Sequence, residues 1–155
     1  MSGTAFGGSV TRVTTTQELP LGFAVTVPNG ELGVQTWVYV KAGAALAQGN
    51  VVGRATGAFT SPYTVILSVA ADTRANVVGV AQHTIASASY GFVLRSGVGK
   101  VKTDDSLTAG CTFTTGADGE AVLFVNGEEE KVIGQAFAAD TGDGTLVDAV
   151  IDCGF

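Results

Sequence analysis

The stretch Val77–Val101, VVGVAQHTIASASYGFVLRSGVGKV, decides the fold class of this chain. Short runs rich in Val, Thr and aromatic residues are interrupted by glycine, and the pattern recurs along most of the sequence at spacings of about 8–12 residues. β-Branched and aromatic residues fit a pleated, half-buried surface, whereas glycine marks turns and bends. We therefore expect an all-β fold, built as a single β-barrel or β-sandwich domain.

Alternation with a period of two is clearest at Val34–Lys41. It predicts a strand with one aliphatic face and one face that carries Trp37 and Tyr39. Both aromatic side chains have a polar edge that suits a partly covered surface. We expect Trp37 and Tyr39 to contribute to an interface with another protomer or a partner protein.

Further strands are expected at residues 23–27, 51–55, 64–69, 77–83, 90–95, 99–103, 111–115, 120–125, 131–137 and 146–151. Gly116–Gly119 and Asn126-Gly127 are predicted hairpin turns. The segment LRSGVG around Ser96 is interpreted as a turn between two strands. Residues 42–50, AGAALAQGN, are the best helix candidate but are interpreted as a loop that leads into the next strand.

Residues 1–20 differ in composition from the expected β domain at 21–155. They are small, polar and rich in Thr and Gly, and their sparse apolar residues cannot form a core of their own: Phe6, Val10, Val13 and Leu19. One interpretation is a frayed terminus. The other is an extended N-terminal arm that becomes ordered against a partner, with VTRVTTT added to a sheet as an edge strand.

Charge is scarce and unevenly distributed. Charged residues make up 14% of the chain, and the net charge is −6. Residues 1–103 hold seven Lys and Arg against three Asp and Glu, a balance of +4, whereas residues 104–155 hold one Lys against eleven acids, a balance of −10. Low charge indicates a surface partly covered by other chains, and the acidic segment argues against nucleic-acid binding.

Targeting signals and membrane spans are not evident in the sequence. The start, MSGTAFGGS, has neither the basic region nor the apolar stretch of a secretory signal. No apolar run is long enough to cross a bilayer. We therefore expect a protein made in a cytoplasm, with no membrane partner.

The sequence offers no recognisable catalytic or metal-binding pattern. His83, the only histidine, follows an apolar run and is expected to be structural, because no GxSxG elbow accompanies it. Asp140–Gly144 matches only part of a calcium loop and is interpreted as a turn. Cys111 and Cys153 fit no metal spacing, and we expect buried free thiols. We predict no enzymatic activity, no cofactor and no metal.

Three stretches together resemble the small capsid decoration (cement) proteins of tailed bacteriophages: VVGVAQHTIASASYGFVLRSGVGKVKT, DDSLTAGCTFTTGADGEAV and KVIGQAFAADTGDGTLVDAVI. The resemblance covers roughly residues 35–155 and rests on short glycine-based motifs. It departs at Ala88-Ser89-Tyr90, where family members often have glycine. It implies a homotrimer on the capsid exterior that clamps neighbouring major capsid protein subunits and stabilises the expanded head. It supplies no catalytic residues.

On this interpretation the N-terminal arm binds the capsid through Phe6, Val10 and Val13, with Arg12 as an ion-pair donor, and Trp37 and Tyr39 form a protomer or capsid interface. Other virion proteins, such as a tail-tube or fibre subunit, remain alternatives. A ligand-binding β-barrel of the lipocalin kind would need a wide apolar lumen, which the many Val and Ala residues do not favour. A carrier or hydrolase domain is a further alternative, although no single Lys or Ser stands out.

Overall fold

The computed structural model describes residues 9–55 and 61–153, and the fold it shows is all-β, as predicted. Three short 3-10 helices, at Gly30–Leu32, Ala117–Gly119 and Glu129–Lys131, lie in connections. The ten strands are β1 (Ala24–Pro28), β2 (Val34–Ala42), β3 (Val51–Arg54), β4 (Thr64–Leu67), β5 (Val77–Val80), β6 (Tyr90–Asp104), β7 (Thr112–Thr115), β8 (Ala121–Leu123), β9 (Gly134–Ala136) and β10 (Asp143–Asp152).

All ten strands belong to one sheet, and its pairings close on themselves twice. The first circuit runs β2–β4–β3–β5–β6 and returns to β2, where β6 pairs with β2 in antiparallel fashion. The second circuit runs β6–β10–β9–β7–β8 and returns to β6 through the parallel pair Thr103–Ala121. Strand β1 pairs with β2 alone, so among the described strands it is the one with a free edge.

Strand β6 belongs to both circuits because it continues through the predicted turn around Ser96. Its residues up to Ser96 pair with β2, and those from Ser96 onward pair with β10. Gly97, at φ +115°, lies at this junction, and a Cβ there would be 2.8 Å from the carbonyl oxygen of Val34. The predicted turn is therefore wrong: the glycine lets a continuous strand change partners.

An aliphatic cluster fills the first circuit, and every strand of the circuit contributes to it: Val38, Val40, Ala42, Val52, Val65, Val78 and Val93. Leu46 and Ile85, from the loops after β2 and β5, form a β-bridge and close one end. A second cluster fills the second circuit around Phe113 and Ile133 and extends over the outer face of the first circuit. The two clusters hold the circuits together as one body.

Both faces of β2 are buried. Val38 and Val40 point into the first circuit, whereas Trp37 and Tyr39 belong to the second cluster, covered by β1 and neighbouring residues. The predicted alternation is thus observed, but Trp37 and Tyr39 are only 5% and 4% exposed. In the protomer their face is already occupied by the chain itself.

Several local expectations can be compared with the connections. Gly116–Gly119 does join the antiparallel pair β7–β8, and residues 43–50 are a loop, whereas Ala42 still belongs to β2. Asn126-Gly127 is not a hairpin turn, because β8 pairs with β7 and β6 whereas the next strand, β9, pairs with β7 and β10.

Both cysteines are free thiols, as predicted. Cys153 is buried, whereas Cys111 is half-buried, so the expected burial holds fully only for Cys153. The backbone of Cys111 pairs with Ala136, and Ala136 lies opposite Ala149 of β10. Four residues of extended chain, about 13 Å, separate Ala149 from Cys153. Because Cys111 lies level with Ala149 across the sheet, the two cysteines are too far apart along the strands to form a disulfide.

Candidate functional site

The described part of the N-terminal segment, residues 9–20, lies against the body of the protein. Thr14 and Tyr90 exchange two backbone hydrogen bonds, with N–O distances of 3.0 and 2.8 Å. Val10 and Leu19 pack against the second cluster on either side of this bridge. The segment is therefore anchored on the start of β6.

An aromatic group supports this anchor. The rings of Tyr39 and Tyr90 are stacked at 6.2 Å, and Phe92 meets Tyr39 edge-on at 5.2 Å. The Tyr39 hydroxyl accepts a hydrogen bond from the amide of Glu18 at 3.1 Å. Lys41 Nζ lies 5.8 Å from the centre of the Tyr90 ring, within cation–π range. Tyr39 therefore binds the N-terminal segment of its own chain.

Arg12 and Glu18 form a two-pronged ion pair inside the segment. The Arg12 Nε and Nη2 atoms donate to the two Glu18 carboxylate oxygens at 2.8 and 2.7 Å. The hydrogen bond from Arg12 holds the pKa of the Glu18 carboxyl below its ordinary value. Both side chains are largely exposed, so the pair fixes the shape of the segment more than it adds stability.

The structure places the residues expected to bind a capsid in different environments. Val10 is half-buried, Arg12 is engaged by Glu18, and Val13 is 37% exposed. Phe6 lies outside the described residues. Leu32 and Val34, at the turn between β1 and β2, are 55% and 57% exposed, and no pattern in the sequence singled them out as surface residues.

The free edge of β1 is a surface that sequence patterns did not reveal. Val25 and Val27 turn their side chains inward, whereas Ala24 and Thr26 are exposed. Pro28 ends the strand and supplies no amide, which limits how far another strand can pair along this edge. The edge therefore offers a short site for an added strand.

A groove of about 520 Å³ lies beside β9, and Arg74, Asp152, Gln135 and Thr112 are among the residues that line it. Arg74 is neutralised by Asp152 at 2.9 Å. The lining contains no histidine, cysteine or serine.

His83 does not form part of a reactive group. Both ring nitrogens are buried and have no hydrogen-bond partner among the described residues. Burial lowers the pKa of His83, which favours the neutral ring. Within the ranges 9–55 and 61–153, no three His, Cys, Asp or Glu side chains are grouped so as to hold a metal ion. No helix in those ranges is long and apolar enough to cross a membrane.

Comparison with known proteins gives a match among solved structures. No family model matches the sequence, and no curated protein matches it. Among solved structures, the chain is similar to the N base of the head fiber protein gp8.5 of bacteriophage phi29, with a TM-score of 0.57 and 18% sequence identity. The match covers 76% of this chain and 93% of that chain. At this level of identity, the match shows a shared fold.

Proposed function

We propose that the protein is a structural component of a phage virion, which binds the exterior of the capsid and clamps neighbouring major capsid protein subunits in the expanded head. The observation that carries the proposal is the fold shared with the base of a phage head fiber over 93% of that chain. The resemblance of residues 35–155 to capsid decoration proteins supports the same class of protein from the sequence alone.

The physical character of the body is consistent with this role. The interior of the first circuit is filled by valine and other aliphatic side chains, and the space beside Val38 and Val78 at one end measures about 20 Å³. Pockets for small-molecule ligands usually measure about 300–1,000 Å³. The small space argues against a lipocalin-like carrier and favours a protein that binds its partner through its outer surface.

We propose that the capsid contact combines the residues before Ser9, including Phe6, with the exposed residues Val13, Leu32 and Val34. Val34 lies at the end of the β1–β2 pair and is 57% exposed. An apolar contact of this kind, repeated by symmetry in a homotrimer, gains avidity from weak individual sites. Tyr39 acts indirectly in this proposal, by anchoring residues 9–20 through Glu18, and Trp37 is buried in the same cluster as Tyr39.

Expanded capsid shells that lack accessory proteins provide the direct test. We expect the full-length protein to co-sediment with such shells to a fixed stoichiometry. Deletion of residues 1–8, which removes Phe6 but keeps the Thr14–Tyr90 bridge, should reduce occupancy at limiting concentration. A matched control, Thr108→Ala, changes an exposed residue of the second circuit and should bind as the wild type does. Full-length protein that fails to bind the shells contradicts the proposal.

The base of a head fibre is the second candidate, and the structural match itself favours it. A fibre base must carry a distal part, whereas a clamp needs only to cover the junctions between subunits. Cryo-electron microscopy of a virion that contains the protein distinguishes them by density that projects beyond the body. A tail-tube subunit should instead form rings that stack when the purified protein is imaged by negative stain.

A further inference from the structure

Opposite the end closed by Leu46 and Ile85 lies the other end of the first circuit, here called the open end, which is lined among the described residues by two arginines. Arg54 lies two residues beyond Val52 on β3, and Arg95 lies two residues beyond Val93 on β6, where both valines belong to the cluster inside the circuit. Both arginines line a space of about 20 Å³, together with Val38, Val78 and Tyr63.

Local backbone geometry directs Arg95 to this position. Trp37 is opposite Leu94 and Thr36 is opposite Ser96, so Arg95 is the extra residue of a β-bulge. Bulges re-aim a side chain and recur beside functional sites. Arg54 is held by a hydrogen bond from Nη1 to the carbonyl of Ala75 and lies 5.8 Å from the centre of the Tyr63 ring.

Neither arginine has a carboxylate partner among the described residues. The five ion pairs there use other cations: Arg12, Arg74, Lys100, Lys102 and Lys131. The carboxylate of Asp72, close to Gly53, is occupied by the amide of Val69 at 2.9 Å and by Asn76 at 2.6 Å. The sequence between β3 and β4, ATGAFTSPY, contains no acid.

The open end therefore holds two guanidinium groups that no carboxylate of residues 9–55 and 61–153 neutralises. Two half-buried guanidinium groups border one small space, and an anion placed between them can pair with both. Guanidinium groups match a carboxylate in geometry. A space of about 20 Å³ admits the tip of one side chain and excludes a nucleotide or a sugar.

We propose that this open end, defined by Arg54 and Arg95, binds a carboxylate side chain from a second copy of this chain. The inference rests on the homotrimer of the proposed function and identifies its contact. A cyclic trimer uses two different surfaces of each protomer, which must complement each other. The segregation of charge, +4 for residues 1–103 and −10 for residues 104–155, supplies such a pair of surfaces.

The acids best suited to this contact lie at the end of the second circuit, where β6 ends and β10 begins. Asp104 and Asp143 are paired across the two strands, and Asp105 follows directly. Asp105 and Asp143 are exposed, and no ion pair in the described ranges engages either one. The arginines lie in the first circuit and these acids in the second. A head-to-tail contact, in which the first circuit of one copy meets the second circuit of the next, brings arginine and carboxylate together.

Sedimentation of the full-length protein at two ionic strengths gives the first test. At about 0.01 M salt the Debye length is about 30 Å, and at about 1 M it is about 3 Å. We expect an oligomer whose association weakens by at least about tenfold between these conditions. A protein that is monomeric at low salt, or an oligomer that salt leaves unchanged, overturns the proposal without requiring any variant.

Charge variants give the second test. The double variant Arg54→Gln/Arg95→Gln should weaken association by about tenfold or more, whereas the matched control Lys41→Gln should not. Arg95→Glu should also weaken it, and Arg95→Glu combined with Asp105→Arg should restore it. Circular dichroism and thermal unfolding establish that each variant is folded. If the double variant is folded and associates as tightly as the wild type, the proposal is contradicted.

Shell binding, measured in parallel, separates this inference from the proposed function. Wild-type protein that binds shells as a monomer overturns the self-association and leaves the capsid role intact. Folded variants that keep their oligomeric state but lose shell binding would show that the arginines contact the capsid. That result also overturns the proposed contact between copies. An oligomer that depends on both arginines but ignores shells supports this contact and contradicts the capsid role.

Discussion

Thr14 and Tyr90 exchange both of their backbone hydrogen bonds, at 3.0 and 2.8 Å, and so anchor the N-terminal segment where β6 begins. The Tyr90 ring stacks on Tyr39, whose hydroxyl binds the amide of Glu18 further along the same segment. A segment that looked too polar to fold is thus attached at two points to aromatic residues of the body.

Replacement of Thr14 by proline should loosen this attachment. Proline removes the amide that donates to the Tyr90 carbonyl, at a local cost of about 1 kcal/mol. Trypsin cleavage after Arg12, which requires local opening, should accelerate by about fivefold. The control Thr15→Pro alters a residue whose amide donates no hydrogen bond within the described segment, and it should be cleaved at the wild-type rate.

Gly134→Ala should destabilise the second circuit. A Cβ at Gly134 would lie 2.3 Å from the Val150 carbonyl oxygen and 2.5 Å from Phe113 Cζ, both parts of a packed interior. We expect a loss of at least about 2 kcal/mol in the free energy of unfolding. Gly127→Ala, which meets nothing within 4 Å but has φ +96°, should lose only about 1 kcal/mol. Equal losses in denaturant melts would contradict the packing argument.

Phe113→Ala should lower the stability of both circuits together. Phe113 is fully buried in the second circuit, and its truncation should cost about 3–5 kcal/mol. The fluorescence of Trp37, the only tryptophan, reports on β2 in the first circuit. Because β6 belongs to both circuits, the transitions seen by fluorescence and by circular dichroism should shift together. A shift in only one of them would show that the circuits unfold independently.

Stability should fall on acidification through the range where free histidine titrates. Burial lowers the pKa of His83 in the folded protein, so the unfolded chain binds a proton more readily. The stabilisation is present above the unfolded pKa of about 6.5 and is lost as the pH falls towards the folded value. Melting temperatures measured from about pH 7.5 to about pH 5.5 should decline less in His83→Phe than in the wild type.

The two thiols should differ in reactivity. Burial raises the pKa of the Cys153 thiol to about 12, so the reactive thiolate is scarce. Cys111 is half-buried. A thiol reagent should modify Cys111 in the folded protein and Cys153 only after denaturation. The folded Cys111→Ser variant should therefore be unreactive. Rapid modification of that variant would refute the assignment of Cys111 as the reactive thiol.

The sequence predicted the strands better than their partners. The alternation in β2 gave the correct strand and the correct two faces, because side-chain direction is a local property of extended backbone. It did not show that both faces are buried, since the cover over Trp37 and Tyr39 comes partly from β1 and from distant residues. Polar edges on aromatic rings indicated a surface, but the hydroxyl of Tyr39 is satisfied by Glu18 instead.

Glycine signals were ambiguous for a similar reason. Gly97 lies inside a continuous strand, whereas Gly116–Gly119 is a true hairpin turn, and the two look alike locally. The arginines at the open end could not be found from the sequence, because the position of Arg95 depends on a bulge against β2. Strand register, which sets that bulge, is decided by pairing between residues far apart in the chain.

The sharing of β6 limits how a gene for this protein can evolve. A recombination event within the codons for Tyr90–Asp104 would leave each product with an incomplete ring of strands and unpaired backbone groups. The two circuits therefore cannot be exchanged between genes as separate modules. An exchange that preserves every strand pairing would have to carry both circuits at once.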